Sequence, residues 1–177
     1  KNTNFDKSHK YGFELKNTYN FNNALSTTIN YAYTQAIIDR IENFSGLGCS
    51  VFCDGKFFPG LSDHNITLGI NYKPTSKSRI VLVQSYRSEA YALEDFSNSF
   101  QQKNNAYTST DVSYSYAHKA DARKSLFNWW PSGPRQVEFI VKAENLFEQS
   151  NGLWLRDDVV YPTKFTRNVS LGAKFNF

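Results

Sequence analysis

What most constrains this chain is a period of two. Its final stretch, TRNVSLGAKFNF, puts Arg167, Val169, Leu171, Ala173, Phe175 and Phe177 on one side, against Thr166, Asn168, Ser170, Gly172, Lys174 and Asn176 on the other. Successive side chains of a β-strand point to opposite faces, so the segment predicts a strand with one apolar face and one small or polar face.

The same alternation recurs along the chain. Tyr11–Tyr19 sets Tyr11, Phe13, Leu15 and Tyr19 on one face, and after the turn FNNA, Leu25–Ile37 sets Leu25, Ile29, Tyr31, Tyr33 and Ile37 against Ser26, Thr28, Asn30, Ala32, Thr34 and Ala36. HNITLGINY groups Ile66, Leu68, Ile70 and Tyr72, and Lys73-Pro74-Thr75-Ser76 is a turn by composition. SRIVLVQSY gives no clear facing, because Val81 and Val83 oppose Ile80 and Leu82. A fifth strand carries Thr110, Val112, Tyr114 and Tyr116 on one face, and a sixth sets Val137, Phe139, Val141 and Ala143 against Glu138, Lys142 and Glu144. The closing strand begins near Phe165.

The second face of these strands is too small and polar for the core of a sandwich, but it suits a wet or loosely plugged lumen. Composition agrees: 16% aromatic residues with only 40% hydrophobic residues fit a sheet with one apolar and one wet face. No run of 18 apolar residues exists, which excludes a transmembrane helix but not membrane strands. A net charge of +4, spread without basic runs, argues against nucleic acid as a partner. Links 20–24 and 73–77 are short and 117–134 is longer, whereas 38–63, 88–105 and 148–164 are all long. Short turns at one rim and long loops at the other are the pattern of an outer-membrane barrel. Strands of about ten residues, tilted by ~45°, reach roughly 23 Å, close to the ~25 Å apolar band. An open edge in hydrocarbon leaves backbone groups unpaired, and an odd number of strands does not close alone. The expected fold class is therefore all-β, a transmembrane antiparallel β-barrel, with these strands forming part of a larger closed whole. The expected location is the Gram-negative outer membrane, multi-pass, with lipid and lipopolysaccharide around it and the C-terminus on the periplasmic side.

Lys1 is not an initiator Met and no leader is visible, so the chain is expected to begin within a longer or mature protein. Cys49 and Cys53 lie close together in a Gly-containing loop, and a disulfide there fits an oxidising compartment. The alternative, a zinc site including His64, Asp54 and Asp63, has poor spacing. His9, His64 and His118 are far apart and expected to be solvent-exposed. No catalytic constellation or phosphate loop is present, so neither enzymatic activity nor a cofactor is expected.

The segment VKAENLFEQSNGLW, followed by YPTKFTRNVSLGAKFNF, resembles the C-terminus of TonB-dependent outer-membrane receptors. Asn145, Leu146 and Phe147 match the strand that leads into the last external loop. Leu171, Ala173, Phe175 and Phe177 match the terminal signal read by the barrel-assembly machinery. Tyr11–Phe21, with Gly12 and Glu14, and the approach Pro59, Gly60 to His64 are looser echoes, and the Gly-Arg that commonly opens the last strand is absent. The resemblance implies that residues 1–177 are the last seven strands or so of a 22-stranded barrel. It further implies a plug domain and a coupling (TonB) box outside this chain, and energy from the TonB–ExbB–ExbD complex.

The function so implied is energised uptake of a scarce nutrient, with a ferric siderophore leading and haem or cobalamin as alternatives. A passive porin, a structural or adhesive barrel and a soluble sandwich are the rival readings. Long loops are where recognition belongs. Trp154, Arg156 and Tyr161, with Arg87 and Tyr91 from the preceding loop, mix guanidinium and aromatic groups suited to an anionic aromatic chelate. Glu138, Lys142 and Glu144 are expected to form salt bridges against neighbouring strands or a plug, with a charged permeation wall as the alternative; Trp129 and Trp130 are expected to anchor at an interface, with a periplasmic partner site as the alternative.

Overall fold

Alternating segments with one apolar face become strands when a neighbour supplies both the ladder and a matching face. The computed structural model describes residues 7–40, 53–93, 95–101, 103–119, 136–149, 153–156, 159–162 and 166–176. Its strands are β1 (Lys7–Asn20), β2 (Leu25–Arg40), β3 (Lys56–Phe57), β4 (His64–Tyr72), β5 (Ser78–Arg87), β6 (Tyr107–Lys119), β7 (Gln136–Glu144), β8 (Leu153–Arg156), β9 (Val159–Pro162) and β10 (Asn168–Asn176). The main sheet runs β1-β2-β4-β5-β6-β7-β10, all antiparallel, with β3 added beside β2, and β8 and β9 form a separate two-stranded sheet.

Register carries the face segregation across the molecule. Thr27, Ile70, Leu82, Val112, Ala143 and Val169 lie opposite one another in a row across six strands. One residue over, the row reads Ser26, Asn71, Val81, Ser113, Lys142 and Ser170. This settles the ambiguous strand: Ile80, Leu82 and Tyr86 of β5 join the apolar face, and Val81 and Val83 lie among the polar rows.

The short turns are built by side chains. Asn22 Oδ1 accepts the amides of Ala24 and Leu25, each at 2.8 Å, which tightens the β1–β2 connection. Thr75 Oγ1 does the same for Lys77 and Ser78 before β5. At the end of β7, Asn145 and Glu148 adopt positive φ values of 49° and 52°. The Asn145 side chain both donates to Gln149 O and accepts from Gln149 N at 3.0 Å, and its own amide donates to Asp111 at 2.9 Å. That network is the physical content of the Asn-Leu-Phe element: Asn tolerates the left-handed turn and closes it with its own amide.

The closed arrangement does not form. The sheet is open, with β1 and β10 at its two edges and no strand pairing between them. The expectation of a transmembrane barrel, with these as the C-terminal strands of a 22-stranded closure, is corrected accordingly. The multi-pass outer-membrane location with a periplasmic C-terminus is corrected with it, since an open sheet with unpaired edges is not a membrane-spanning barrel. The reason lies in strand number: with seven antiparallel strands on the main path, β1 and β10 run in the same direction and cannot close on each other in an antiparallel ladder. Among the described residues no helix is long and apolar enough to cross a membrane, which says nothing of barrels.

Some boundaries also shift. β1 and β2 extend to Lys7 and Arg40, past the segments that alternate cleanly. The span 148–164, read from sequence as loop, contains the β8–β9 ribbon, with Leu153 opposite Pro162. The closing strand starts at Asn168 rather than near Phe165. Among the described residues burial is concentrated at the loop end, where Ile38 and Cys53 are fully buried with Phe58 and Phe96 packed on them. Phe13, Val169 and Leu171 on the sheet's apolar face stay exposed, Leu171 at 80%.

Gly12 sits in β1 where a Cβ would fall inside contact distance of the Tyr33 carbonyl and Thr34 backbone. Gly12→Ala should therefore push β1 off β2 and destabilise the sheet by about 1–3 kcal/mol, the cost of forcing a methyl into a filled site. Hydrogen exchange of the β1 amides measures it, and protection equal to the parent protein would contradict the packing.

Candidate functional site

β2 is longer than its partner β4. Pairing with β4 ends at Tyr33–His64, and beyond it Ile37 and Ile38 pair with Phe57 and Lys56 of β3. The connection between β2 and β4 is thus drawn back onto the sheet as a short strand. Gly60, at φ 76°, then turns the chain so that its amide donates to Tyr91 O at 2.8 Å. Residues 88–93 and 103–106 meet it from the other side, held by a bridge in which Ala90 and Asn104 exchange backbone hydrogen bonds of 3.0 and 2.8 Å.

These two loops enclose a cavity of about 300 Å³ lined by Phe57, Leu61, Asp63, His64, Ser88, Glu89, Ala90, Tyr91 and Lys103. The rings of Phe57 and Tyr91 are stacked, 6.1 Å apart and 10° from parallel. Lys103 Nζ lies 4.6 Å from the centre of the Tyr91 ring and 2.8 Å from Glu89 Oε1. The bonded Glu89 carboxylate holds the Lys103 ammonium above the ordinary lysine range. Both side chains are more than a third exposed, so the pair is worth at most about 1 kcal/mol.

The floor is fixed to the sheet by polar contacts. Asp63 accepts from Gln35 Nε2 at 3.3 Å, and Gln35 in turn accepts from the Tyr11 hydroxyl. His64 Nδ1 and the Tyr31 hydroxyl are 2.9 Å apart, with their rings stacked. A second, shallower cavity shares Leu61 and is lined by Ser8, His9, Lys10, Ala36 and Phe58–Leu61. His9 within it is paired with Asp39 at 2.6 Å. Among the described residues no cluster of His, Cys, Asp and Glu is placed to hold a metal ion.

The sequence-derived candidates are distributed unevenly. Tyr91 lies in the cavity wall. Arg87 ends β5 on the polar face, with its guanidinium 5.6 Å from the centre of the Tyr107 ring, and does not line the cavity. Trp154 and Tyr161 are register partners in the β8–β9 ribbon, and Arg156 pairs there with Val159. Leu171, Ala173 and Phe175 lie opposite Val141, Phe139 and Val137 in β10, and Phe177 is outside the described residues. Cys53 is fully buried and no described cysteine is free, while Cys49 lies outside the described residues, as do Trp129 and Trp130. His64 is exposed at the first position of β4, as expected, but its bond to Tyr31 was not legible. Lys142 and Glu144 form an ion pair within β7 itself rather than across to a neighbouring strand.

Phe57, Glu89 and Lys103 were missed. They lie in long connections outside the alternating segments, and the residues that meet, Phe57 with Tyr91 and Lys103 with Tyr91 and Glu89, are far apart in sequence. Only an acid and a base flanking a Tyr hinted at the Glu89–Tyr91–Lys103 group.

The described parts of two long connections of a continuous antiparallel sheet thus meet around an aromatic and charged cavity. The chain belongs to the TonB-dependent receptor-like β-barrel family, whose model matches residues 1–139. This is a family of transport receptors, and the chain is not an enzyme. Among solved structures it is similar to the ferric citrate transporter FecA in its unliganded form (18% identity, TM-score 0.71, covering 94% of this chain and 24% of that one). It is also similar to the ferric yersiniabactin uptake receptor FyuA from Yersinia pestis (16%, 0.66, 96% and 24%). The ferric-catecholate import receptor Fiu from K12 E. coli, in its closed form, is a third (17%, 0.64, 96% and 21%). The chain spans about a quarter of the length of these structures. Nothing among curated proteins matches it.

Linkage gives the Lys103–Glu89 pair a defined pH window. A raised folded-state value means that its contribution is fully present below the ordinary lysine value and is lost as pH climbs through the higher, folded one. Glu89→Gln should bring the Lys103 value down toward the ordinary range, read by side-chain ¹⁵N titration. An unmoved titration would show that the pair does not form in solution.

Proposed function

We propose that this chain is part of an energised uptake receptor for a ferric chelate, with a ferric siderophore as the leading cargo. The observation that carries the reading is the cavity of Phe57, Tyr91, Lys103 and Glu89, standing at the loop end of a sheet of this family. Its volume and its stacked rings suit a compact ligand with planar groups, gripped by apolar contact and oriented by a few charges. The ferric cargoes in the names of the three similar structures point the same way.

On this reading residues 1–177 supply the C-terminal portion of the family's barrel domain. The plug, the earlier strands and the coupling box belong to other parts of the protein. Tyr91 contacts the chelate in the cavity, and Arg87, Trp154, Arg156 and Tyr161 extend the recognition surface around it. Binding is followed by rearrangement of the plug, driven through TonB–ExbB–ExbD, and the cargo passes along the polar rows of the sheet. No covalent step is involved. Cys49 and Cys53 form a disulfide that fixes the loop beside the buried Ile38–Phe58–Phe96 cluster. The terminal set Leu171, Ala173, Phe175 and Phe177 is read by the barrel-assembly machinery.

Two measurements test this. Cells carrying the full-length protein should accumulate ⁵⁵Fe-labelled chelate only when TonB is present, and Tyr91→Ala should weaken chelate binding by about tenfold, the loss of one stacking contact of ~1.4 kcal/mol. Accumulation that persists without TonB would make the protein a passive channel. Separately, mass spectrometry after alkylation without reductant should leave Cys49 and Cys53 unlabelled, and labelling of both would remove the disulfide.

A further inference from the structure

The cavity wall depends on a residue that does not line it. We propose that Asn98 is a positioning residue, whose side-chain amide acts as a one-residue strand that holds Phe57 against Tyr91. The proposal rests on the reading of this cavity as the chelate site.

Asn98 Oδ1 accepts the Phe57 amide at 2.7 Å, and Asn98 Nδ2 donates to the Phe57 carbonyl at 3.0 Å. This two-point contact is the pattern by which one strand residue pairs with another. Phe57 is the last residue of β3, and its other neighbour is Ile37 of β2. The side chain of Asn98 thus caps a strand too short to recruit a full partner. An Nδ2 contact to Asp95 O at 3.1 Å, together with the Asn98 amide donating to the same carbonyl at 3.2 Å, fixes its direction.

The segment that presents Asn98 is itself pinned. Asp95 is fully buried, and its carboxylate accepts the amides of Ser99 at 2.8 Å and Phe100 at 3.2 Å, so it closes the loop around Asn98. Asn98 has φ 52°, a left-handed conformation that Asn tolerates better than most residues. Backbone geometry and side-chain chemistry therefore demand the same residue. The consequence runs outward: Asn98 sets the Phe57 backbone, Phe57 stacks on Tyr91, and Tyr91 carries Lys103 on its ring.

Asn98→Gly tests the role in the full-length receptor, because glycine keeps the positive φ and removes only the amide. Two chelates serve as probes, ferric citrate and a ferric tris-catecholate. Exchange of the Phe57 amide should accelerate by about tenfold, as for a lost hydrogen bond. Affinity for the probe that the parent protein binds should fall severalfold. Phe57→Ala and Asn98→Gly should combine to less than the product of their separate effects on affinity, since both act through one ring. A purely structural role would lower stability yet leave the two effects on affinity independent. An unchanged Phe57 exchange rate, or multiplicative effects on affinity, overturns the proposal. If the parent protein binds neither probe while Phe57 exchange responds to Asn98→Gly, the chelate reading fails and the clasp on Phe57 stands.

Discussion

The structure depends on one constraint: a hydrogen-bonded ladder fixes each side chain's face, and seven consecutive partners obey the same register. A slip of one residue at any interface would exchange the row of Thr27, Ile70, Leu82, Val112, Ala143 and Val169 for that of Ser26, Asn71, Val81, Ser113, Lys142 and Ser170. Apolar contact between neighbouring strands and the side-chain-capped turns at Asn22 and Thr75 both select the observed pairing. The sheet has no second layer among the described residues, so lateral agreement of this kind takes the place that a packed core holds in most domains.

Much of this was legible because period two is a local signal. Six of the seven long strands alternate, and the facing of β1, β2, β4, β6, β7 and β10 could be read from single residues such as Phe13, Tyr31, Leu68, Tyr114, Phe139 and Leu171. β5 resisted because four consecutive apolar residues, Ile80 to Val83, carry no alternation, and only the partners of Leu82 in β4 and β6 decide its face. Closure was misjudged for a related reason. Strand pattern specifies neighbours, whereas the path from the last strand to the first is a property of every strand together, and here β1 and β10 remain edges.

The site was less legible than the sheet. Tyr91 was identifiable as an aromatic in a long loop, but its value comes from Phe57, Lys103 and Glu89, which reach it through turns governed by Gly60, Asp95 and Asn98. Such turns rest on individual side-chain-to-backbone bonds, and these leave no periodic trace. Arg87 and Tyr91 lie four residues apart and looked equivalent. The end of β5 separates them, leaving Arg87 on the polar face beside Tyr107 and Tyr91 in the cavity. Family membership is shown by the match over residues 1–139 and does not rest on the loop chemistry.

The pairing of Lys56 and Phe57 with Ile38 and Ile37 has a mechanical meaning. Because one wall of the cavity is spliced into the main-chain ladder, the Phe57 backbone cannot shift without breaking ladder bonds or flexing a strand of 16 residues. That wall is the fixed bank of the cavity, and any change in the cavity's shape must come from the opposite one.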